Sequence, residues 1–218
     1  MKIALVTLHY KNLKDTQELL ESLSKAIVPK DCEIKLFVVD NSNDPNLKTL
    51  LAKSKFQSDL IVNNNNTGFA GGNNLGFKEA LKQSYEIVGT INNDTLVDKY
   101  FFQSLSNSPI CQPDVGLIGG LIYFAPGYEF KSHYQKDQLG KVIWYAGGIF
   151  DNRNVLGSHN LVDAPDKGDL TKPFETDFVT GCLLFARSEV LKKVGLFDEN
   201  YFLYLEDVDL CYRVKSLG

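Results

Sequence analysis

The feature that most constrains the fold is a regular alternation of strand-like and helix-like segments over the first 95 residues. Short apolar runs without strict polar–apolar alternation are typical of strands buried on both faces of a parallel sheet. Such runs occur at Lys2–Leu8, Glu33–Asp40, Leu60–Val62 and Glu86–Ile91. The pattern therefore predicts an α/β fold with a central, mostly parallel, Rossmann-like sheet.

Helical patterns separate the four strands. They are predicted from Asn12 up to Pro29, through Leu47–Leu51, and from about Asn73 to Leu81. In sheets of this kind, ligands bind beyond the carboxyl ends of the strands. We therefore expect the functional site among the residues that follow the strands.

The second half is less regular and predicts a smaller antiparallel part. We expect strands at Val115–Phe124 and Val142–Phe150, then a long loop from Asp151 to Pro173 with one hairpin. The remaining expected elements are a buried strand through Thr176–Val179 and Cys182–Ala186 interrupted at Gly181, a helix Ser188–Val194 with Ser188 as its N-cap, and a last helix from near Leu205 to Val214.

Composition limits the classes of function. The 218 residues are 44% hydrophobic and 23% charged, with a formal net charge of −4. These proportions exclude a disordered chain, a collagen and a coiled coil, and the length favours one domain. Because phosphate backbones require a concentrated Lys/Arg surface, we expect no nucleic-acid partner.

Neither a membrane span nor a signal peptide is expected. The longest nearly uncharged stretch, Ile110–Pro126, contains Asp114 and several glycines and falls short of about 20 apolar residues. A cytoplasmic location is therefore predicted. The widely spaced cysteines form no CxxC pair and are predicted to be reduced thiols: Cys32, Cys111, Cys182 and Cys211.

The segment Asn63–Gly76 is rich in asparagine and glycine and leads into a helix. Glycines before a helix let the backbone approach an anion, and the helix N-terminus favours negative charge. The segment matches neither GxGxxG nor GxxxxGK[ST]. A phosphate cradle and a tight loop without a ligand both remain open on this pattern alone.

Two acidic motifs carry the remaining chemistry. Asn92-Asn93-Asp94 places one carboxylate beyond a buried strand, where it can bind Mg²⁺ together with substrate phosphates, or cap a helix. Glu206 and Asp207 follow an aromatic run, where a carboxylate can act as a general base, or simply favour the first turn of a helix.

Taken in order, these motifs resemble the family 2 glycosyltransferases with a GT-A fold, particularly the rhamnosyltransferase-like branch. The resemblance covers essentially the whole chain and implies one glycosyltransferase domain, with a nucleotide-binding half at 1–98 and an acceptor-binding half at 99–218. It rests on Val38-Val39-Asp40-Asn41-Ser42, Asn66–Gly76, Asn92-Asn93-Asp94, Trp144-Tyr145-Ala146-Gly147-Gly148, Thr180-Gly181-Cys182, Gly195-Leu196-Phe197-Asp198-Glu199 and Glu206–Leu210.

The resemblance implies a nucleotide-binding set of residues. Thr7 and Asp40, with Asn41, correspond to positions that hold the base and ribose. The positions expected to face the nucleotide and its diphosphate are Gly68, Gly71, Gly72, Asn73 and Asn74.

The resemblance also implies metal, catalytic and acceptor residues. Asn92-Asn93-Asp94 stands at the DxD position, with Asn92 in place of the first aspartate and Asp94 as the ligand of Mg²⁺ or Mn²⁺. Asp207 corresponds to the catalytic base, and Glu206 to its acceptor-positioning neighbour. The donor-sugar and acceptor side is expected at Trp144, Gly147, Gly148, Thr180 and Gly181.

The expected reaction is transfer of a sugar, with inversion, from a nucleoside-diphosphate donor (dTDP-rhamnose or a UDP-sugar) to a glycan or lipid-linked hydroxyl in cell-surface polysaccharide synthesis. One base is enough for in-line attack, and a divalent cation neutralises the leaving group. Relatives usually continue beyond the last helix, so we expect a missing C-terminal segment that meets the inner face of the membrane.

Two alternatives remain. A nucleotidyltransferase would share the sheet and the metal, but it would need a basic, glycine-rich loop after the first strand, where His9-Tyr10-Lys11-Asn12 offers no glycine. A nucleotide-sugar or glycan binding module would not need Asp94 or the Glu206-Asp207 pair.

Weaker signals are assigned to ordinary structure. His9, His133 and His159 are scattered and are predicted to be surface or hydrogen-bonded core residues rather than ligands. The mixed-charge segment Lys131–Lys141 is predicted to be a solvated loop, with a lid over the donor as the alternative.

Overall fold

The computed structural model describes residues 1–130 and 134–217. In the first half, strands and helices alternate as the sequence predicts. The elements are β1 (Lys2–His9), α1 (Leu13–Lys25), β2 (Glu33–Asp40), α2 (Leu47–Lys53), β3 (Ser58–Val62), α3 (Gly68–Lys82) and β4 (Ile87–Ile91).

The second half adds shorter strands and three helices. These are α4 (Phe101–Ser106), a 3₁₀ turn (Pro109–Cys111), β5 (Leu117–Gly119), β6 (Ile122–Tyr123), β7 (Ile143–Tyr145), β8 (Gly148–Asp151), β9 (Leu156–His159), β10 (Leu183–Arg187), α5 (Ser188–Val194) and α6 (Glu206–Lys215).

A six-stranded sheet with the order β3-β2-β1-β4-β10-β5 forms the centre of the molecule. The first four of these strands are parallel, whereas β10 runs antiparallel to both β4 and β5. Two small antiparallel pairs, β6–β7 and β8–β9, lie outside it. The predicted α/β class, with a mostly parallel sheet and a smaller antiparallel part, is confirmed.

Both faces of the sheet are buried, which explains the continuous apolar runs. On β1, Ile3 and Leu5 join the core under α1, whereas Ala4 and Val6 join the core under α3. Successive side chains of a strand point to opposite faces, so a strand covered on both sides needs apolar residues throughout.

Helix α3 begins at Gly68, five residues before the predicted start, so its glycines lie inside the helix rather than in a loop before it. The reason is packing. A Cβ on Gly72 would lie 2.4 Å from Leu8 Cδ1, and a Cβ on Gly76 would lie 2.3 Å from Val6 Cγ1. The glycines lower helix propensity, but they let the helix approach β1 closely.

Four further predictions are wrong in detail. The strand expected over 115–124 is two strands in different sheets, β5 and β6, and the strand expected over 142–150 breaks at Gly147, where φ is +84°. Residues 176–179 contribute an isolated bridge, Gly148–Phe178, instead of a strand. Arg187, not Ser188, is the N-cap of α5, because the Ser188 hydroxyl donates to the Tyr85 carbonyl instead.

Several remaining predictions can be compared directly. A hairpin is predicted between Asp151 and Pro173; the observed one is formed by β8 and β9, so its first strand precedes the predicted loop and ends at Asp151. All four cysteines are free thiols. Residues 131–133, which include His133 and the start of the predicted 131–141 loop, lie outside the described residues. Of the helices in the described ranges, none has the length and apolar character needed to cross a membrane.

Gly76→Ala tests the close packing of α3 on β1. The added methyl group would overlap Val6, a β-branched residue with little freedom to move, so we expect a loss of about 1–2 kcal/mol in unfolding free energy despite alanine's better helix propensity. Urea denaturation measures this loss. Lys82→Ala, at an exposed position of the same helix, is the control and should change stability little; equal effects would contradict the packing explanation.

Candidate active site

Asp207 lies in the first turn of α6, against the loop that leads into β10. Its Oδ2 accepts a hydrogen bond of 2.8 Å from the Gly181 N–H, and its Oδ1 accepts one from the Val208 N–H. Burial raises the pKa of this carboxyl, and these backbone donors oppose the rise. A partly desolvated carboxylate held by backbone donors is a suitable proton acceptor.

Glu206, beside it, is only 4% exposed. Its Oε2 has no hydrogen-bond partner in the described part of the chain. Burial, and to a smaller extent the neighbouring Asp207 charge, raises the pKa of Glu206 to about 7. Backbone hydrogen bonds from Glu206 and Tyr204 oppose this rise, so the two adjacent carboxyls differ mainly in that one oxygen of Glu206 is left without a partner in the described chain.

The pairing of β10 with β4 brings Asp94 to the same region. Leu183 pairs with Ile91, and one step further the Asn92 N–H donates to the Cys182 carbonyl at 3.0 Å. Asp94 therefore follows β4 next to the loop whose Gly181 binds Asp207. Sequence motifs from opposite halves of the chain thus lie at one edge of the sheet.

Asp94 is exposed and carries its charge near two other titratable groups. Burial is the main cause that raises the pKa of Asp15, at the start of α1, and the charge of Asp94 is the second cause. Burial and then Asp94 raise the pKa of Cys182 to about 12. The charge of Asp94 therefore acts on groups of both α1 and the loop before β10.

These residues fit a divalent cation only as a partial site. Among residues 1–130 and 134–217, no group of three or more His, Cys, Asp or Glu side chains could hold a metal ion alone. Mg²⁺ commonly takes one or two carboxylates and completes its shell with water and substrate phosphates. Asp94, with the neutral oxygen of Asn92, could provide such a set.

The loop after β2 is organised by Asp40 and Asn41. Asp40 accepts hydrogen bonds from the backbone N–H groups of Ser42 and Asp44, and Asn41 bonds Asn66. Thr7 is fully buried near the end of β1, and its hydroxyl has no partner among the residues described. A nucleoside-binding role for Thr7, Asp40 and Asn41 stays a prediction.

The amides of Asn73 and Asn74 already have partners within the protein. Asn73 Oδ1 accepts from the Thr90 hydroxyl, and Asn74 bonds the backbone N–H and carbonyl of Phe197. Both asparagines are buried, and they join α3 to β4 and to the turn before α6. This internal role is one that the motif alone does not indicate.

Gly68, Gly71 and Gly72 have steric roles. Gly68 has φ +73°, and a Cβ there would lie 2.2 Å from the Phe202 carbonyl oxygen. A Cβ on Gly71 would lie 2.7 Å from the Thr67 Cβ. At the start of α3, the Gly68 N–H donates to Asn66 and the Phe69 N–H to Phe202.

A cluster of aromatic side chains, here called the aromatic group, lies beside Asp207. It consists of Trp144, Tyr145, His159 and Phe178. The rings of Trp144 and His159 meet edge to face at 4.5 Å, and Tyr145 donates its hydroxyl hydrogen to the Phe178 carbonyl. A Cβ on Gly148 would lie 2.3 Å from the Phe178 ring, and a Cβ on Gly147 would lie 2.9 Å from Thr176 Oγ1. The Thr180 hydroxyl accepts from the Cys182 N–H. The glycines thus allow the aromatic group to pack against the loop that binds Asp207.

The prediction that His9 is a hydrogen-bonded core residue is confirmed. Sequence reasoning assigned neither His9 nor His159 a part in the site and did not single out Thr16. His9 and Thr16 hydrogen-bond to each other, and Thr16 bonds Asn93. His159 packs in the aromatic group, and its charge would lower the pKa of Asp207. The position of His9, two residues after Thr7, was a usable signal because residues i and i+2 of a strand share a face.

Comparison with protein families agrees with this geometry. Residues 5–195 match the model described as glycosyl transferase family 2. The chain belongs to glycosyl transferase family 2. The motif resemblance noted in the sequence is therefore confirmed at the level of the family.

Two curated relatives match over different lengths. The low-salt glycan biosynthesis hexosyltransferase Agl10 of Haloferax volcanii is 23% identical over 98% of the chain and 61% of its own length. An N-acetylglucosaminyl-diphospho-decaprenol L-rhamnosyltransferase of Mycobacterium tuberculosis is 30% identical over 49% of the chain and 34% of its own length. The chain thus spans less than two thirds of either relative.

Solved structures share the fold. The mannosyltransferase PcManGT from Pyrobaculum calidifontis, in complex with GDP-Man and Mn²⁺, aligns with a TM-score of 0.63 at 15% identity over 99% of this chain and 52% of its own. GalNAc-T7 with UDP, GalNAc and Mn²⁺ aligns with a TM-score of 0.72 at 16% identity, over 100% of this chain and 41% of its own. These neighbours confirm the GT-A fold expected from the resemblance.

Glu206→Gln tests the burial of the Glu206 carboxyl. Its pKa of about 7, against 4.5 ordinarily, means that the folded protein keeps a proton between these pH values that the unfolded chain has released. Its contribution to the unfolding free energy therefore falls as pH rises through this window. The glutamine variant has no such titration. Its unfolding free energy relative to wild type should therefore rise by on the order of 2 kcal/mol between about pH 5 and about pH 8.

Urea denaturation at several pH values measures this difference. Glu175→Gln, which removes an exposed carboxylate, is the matched control and should give a flat difference. A flat difference for Glu206→Gln as well would show that its carboxyl titrates as in the unfolded chain.

Proposed function

We propose that the protein is a metal-dependent, inverting glycosyltransferase that moves a sugar from a nucleoside-diphosphate donor to an acceptor hydroxyl. The observation that carries the proposal is the placement of Asp94 and Asp207 beside the same β4–β10 junction. One carboxylate is thus available to a cation at the leaving diphosphate, and the other to the attacking hydroxyl. Family membership supports sugar transfer as the chemistry.

On the donor side, Asp94 and Asn92 would hold Mg²⁺ or Mn²⁺. The cation would neutralise the charge that grows on the diphosphate as the bond to the sugar breaks. The Mn²⁺ in the PcManGT and GalNAc-T7 complexes supports a divalent cation. The Asp40–Asp44 loop, next to β1, would receive the nucleoside.

On the acceptor side, Asp207 would take the hydroxyl proton as its oxygen attacks the anomeric carbon. The Gly181 and Val208 N–H groups hold the carboxylate in one orientation and favour its ionised form against the effect of burial. Glu206 would position the acceptor from the same helical turn. A single base with in-line attack inverts the anomeric centre, because no carboxylate is then required as a nucleophile.

We propose a rhamnosyl or other hexosyl donor bound to dTDP or UDP, and a glycan or lipid-linked acceptor for cell-surface polysaccharide. The rhamnosyltransferase and hexosyltransferase names of the relatives support these classes. Work at the inner face of the cytoplasmic membrane would suit a lipid-linked acceptor. Trp144 and His159 would form the wall against which the sugars pack.

Asp207→Asn tests the base. The amide keeps the shape but cannot accept the proton, so transfer should fall by roughly 10²- to 10⁴-fold while nucleotide binding survives. Release of nucleoside diphosphate from UDP- and dTDP-sugars measures turnover, and calorimetry measures binding. Asp169→Asn, at an exposed carboxylate far from the motifs in sequence, is the control. Turnover at the wild-type rate in Asp207→Asn would remove Asp207 from the mechanism.

Asp94→Ala tests the metal ligand. We expect the increase in nucleotide affinity on adding Mn²⁺ to fall by at least about tenfold, because the cation loses its protein carboxylate. Titration of UDP, dTDP and GDP with and without Mn²⁺ measures it, and Asp98→Ala in the same loop is the control. Wild-type enhancement by Mn²⁺ in the Asp94→Ala variant would contradict the assignment.

A further inference from the structure

His9, the last residue of β1, is fully buried, and the proposed reaction assigns it no chemical step. Its ring nevertheless has a polar partner at each nitrogen. Nδ1 lies 2.8 Å from the Thr16 hydroxyl oxygen on α1, and Nε2 lies 3.3 Å from Asp44 Oδ2 in the loop after β2. The imidazole therefore bridges a helix and a loop from inside the core.

The partners determine the direction of the hydrogen bonds. A carboxylate can only accept, so Nε2–H donates to Asp44, and in the neutral ring Nδ1 must then accept the Thr16 hydroxyl hydrogen. The Thr16 oxygen is left free to accept, and it does so from the Asn93 amide at 3.1 Å. All of these bonds run in one direction, from Asn93 to Asp44.

Each end of this chain of hydrogen bonds reaches one of the proposed substrate-binding loops. Asn93 is adjacent to Asp94, the proposed metal ligand. At the other end, the Asp44 N–H donates to Asp40 Oδ2 at 2.8 Å, and Asp40 also bonds Ser42. A continuous polar connection therefore runs beneath the sheet edge between the loop assigned to the cation and the loop assigned to the nucleoside.

We propose that His9 is a positioning residue that couples these two loops, so that binding of the nucleoside part of a nucleoside diphosphate at the Asp40–Asp44 loop favours cation binding at Asp94. The inference rests on the proposed function, because it needs a nucleotide and a cation as ligands. The centre of the network, His9 and Thr16, is fully buried, and its ends at Asn93 and Asp44 are partly buried. Hydrogen bonds in such a low-dielectric interior are strong and hold one arrangement firmly. A movement of one loop then disturbs the hydrogen bonds of the other. Binding at one loop therefore changes the affinity of the other, and this change is the coupling free energy between the two sites.

Thr16→Val and Thr16→Ser test the coupling without touching the proposed ligands. Valine keeps the shape but removes the hydroxyl, which breaks the link between Asn93 and His9, whereas serine retains it. Calorimetric titration of UDP, dTDP and GDP, with and without Mn²⁺, gives the increase in nucleotide affinity due to the metal. We expect this increase to fall by roughly fivefold or more in Thr16→Val and to be retained in Thr16→Ser.

Two substitutions at His9 separate the ends of the network. Gln places a donor near the Nε2 position and keeps the Asp44 bond, whereas Asn places an acceptor near Nδ1 and keeps the Thr16 bond. Both should lose the coupling, but only His9→Asn should also weaken nucleotide binding without metal, since it releases the Asp44 loop. A purely structural role would instead lower the melting temperature and change affinity equally with and without Mn²⁺.

The outcomes distinguish this inference from the function on which it rests. Wild-type protein that binds none of the three nucleotides would overturn both. Wild-type protein that binds a nucleotide more tightly with Mn²⁺, together with an unchanged increase in Thr16→Val and His9→Gln, would overturn the coupling alone. A reduced Mn²⁺-dependent increase in nucleotide affinity in Thr16→Val, together with a wild-type increase in Thr16→Ser, would support the coupling.

Discussion

The antiparallel pairing of β10 with β4 is the constraint on which the candidate site depends. Asp94 and Asp207 are far apart in the sequence, and no hydrogen bond joins their side chains directly in the described residues. They share one sheet edge because Leu183 pairs with Ile91 and the Cys182 carbonyl accepts from the Asn92 N–H. The Gly181 N–H then holds Asp207. A shift of this pairing by one residue would reverse which side chains face each side of the sheet.

Helix α3 provides the second connection between the halves of the chain. Its glycines bring it close to β1, and its buried asparagines bond β4 on one side and the turn at Phe197 on the other. The Phe202 carbonyl accepts from the Phe69 N–H, so the loop before α6 is attached to the first turn of α3. The glycine-asparagine segment therefore positions the acidic motif of α6 as well as bordering the proposed nucleotide site.

The first half was largely predictable because its strands are buried on both faces. β2 has the predicted bounds, since Ile34, Leu36 and Val38 pack on one core while Phe37 and Val39 pack on the other. The start of α3 was not predictable, because glycine and asparagine disfavour helices and only tertiary packing compensates. The His9–Thr16–Asn93 bonds join three separate elements, so only the folded arrangement reveals them, although the spacing from Thr7 to His9 places both on one face of β1.

The Glu206-Asp207 pair shows how the fold gives adjacent carboxyls different properties. Both are desolvated, which raises both pKa values. Both oxygens of Asp207 accept backbone N–H bonds, which favour its ionised form, whereas the backbone donors that reach Glu206 leave its Oε2 without a partner in the described chain. Because two ionised carboxylates side by side repel, the charge of Asp207 adds to the rise in the pKa of Glu206. The backbone donors at Asp207 offset part of the effect of burial on the group proposed as the base, whereas the carboxyl with an unpaired oxygen in the described chain is its neighbour.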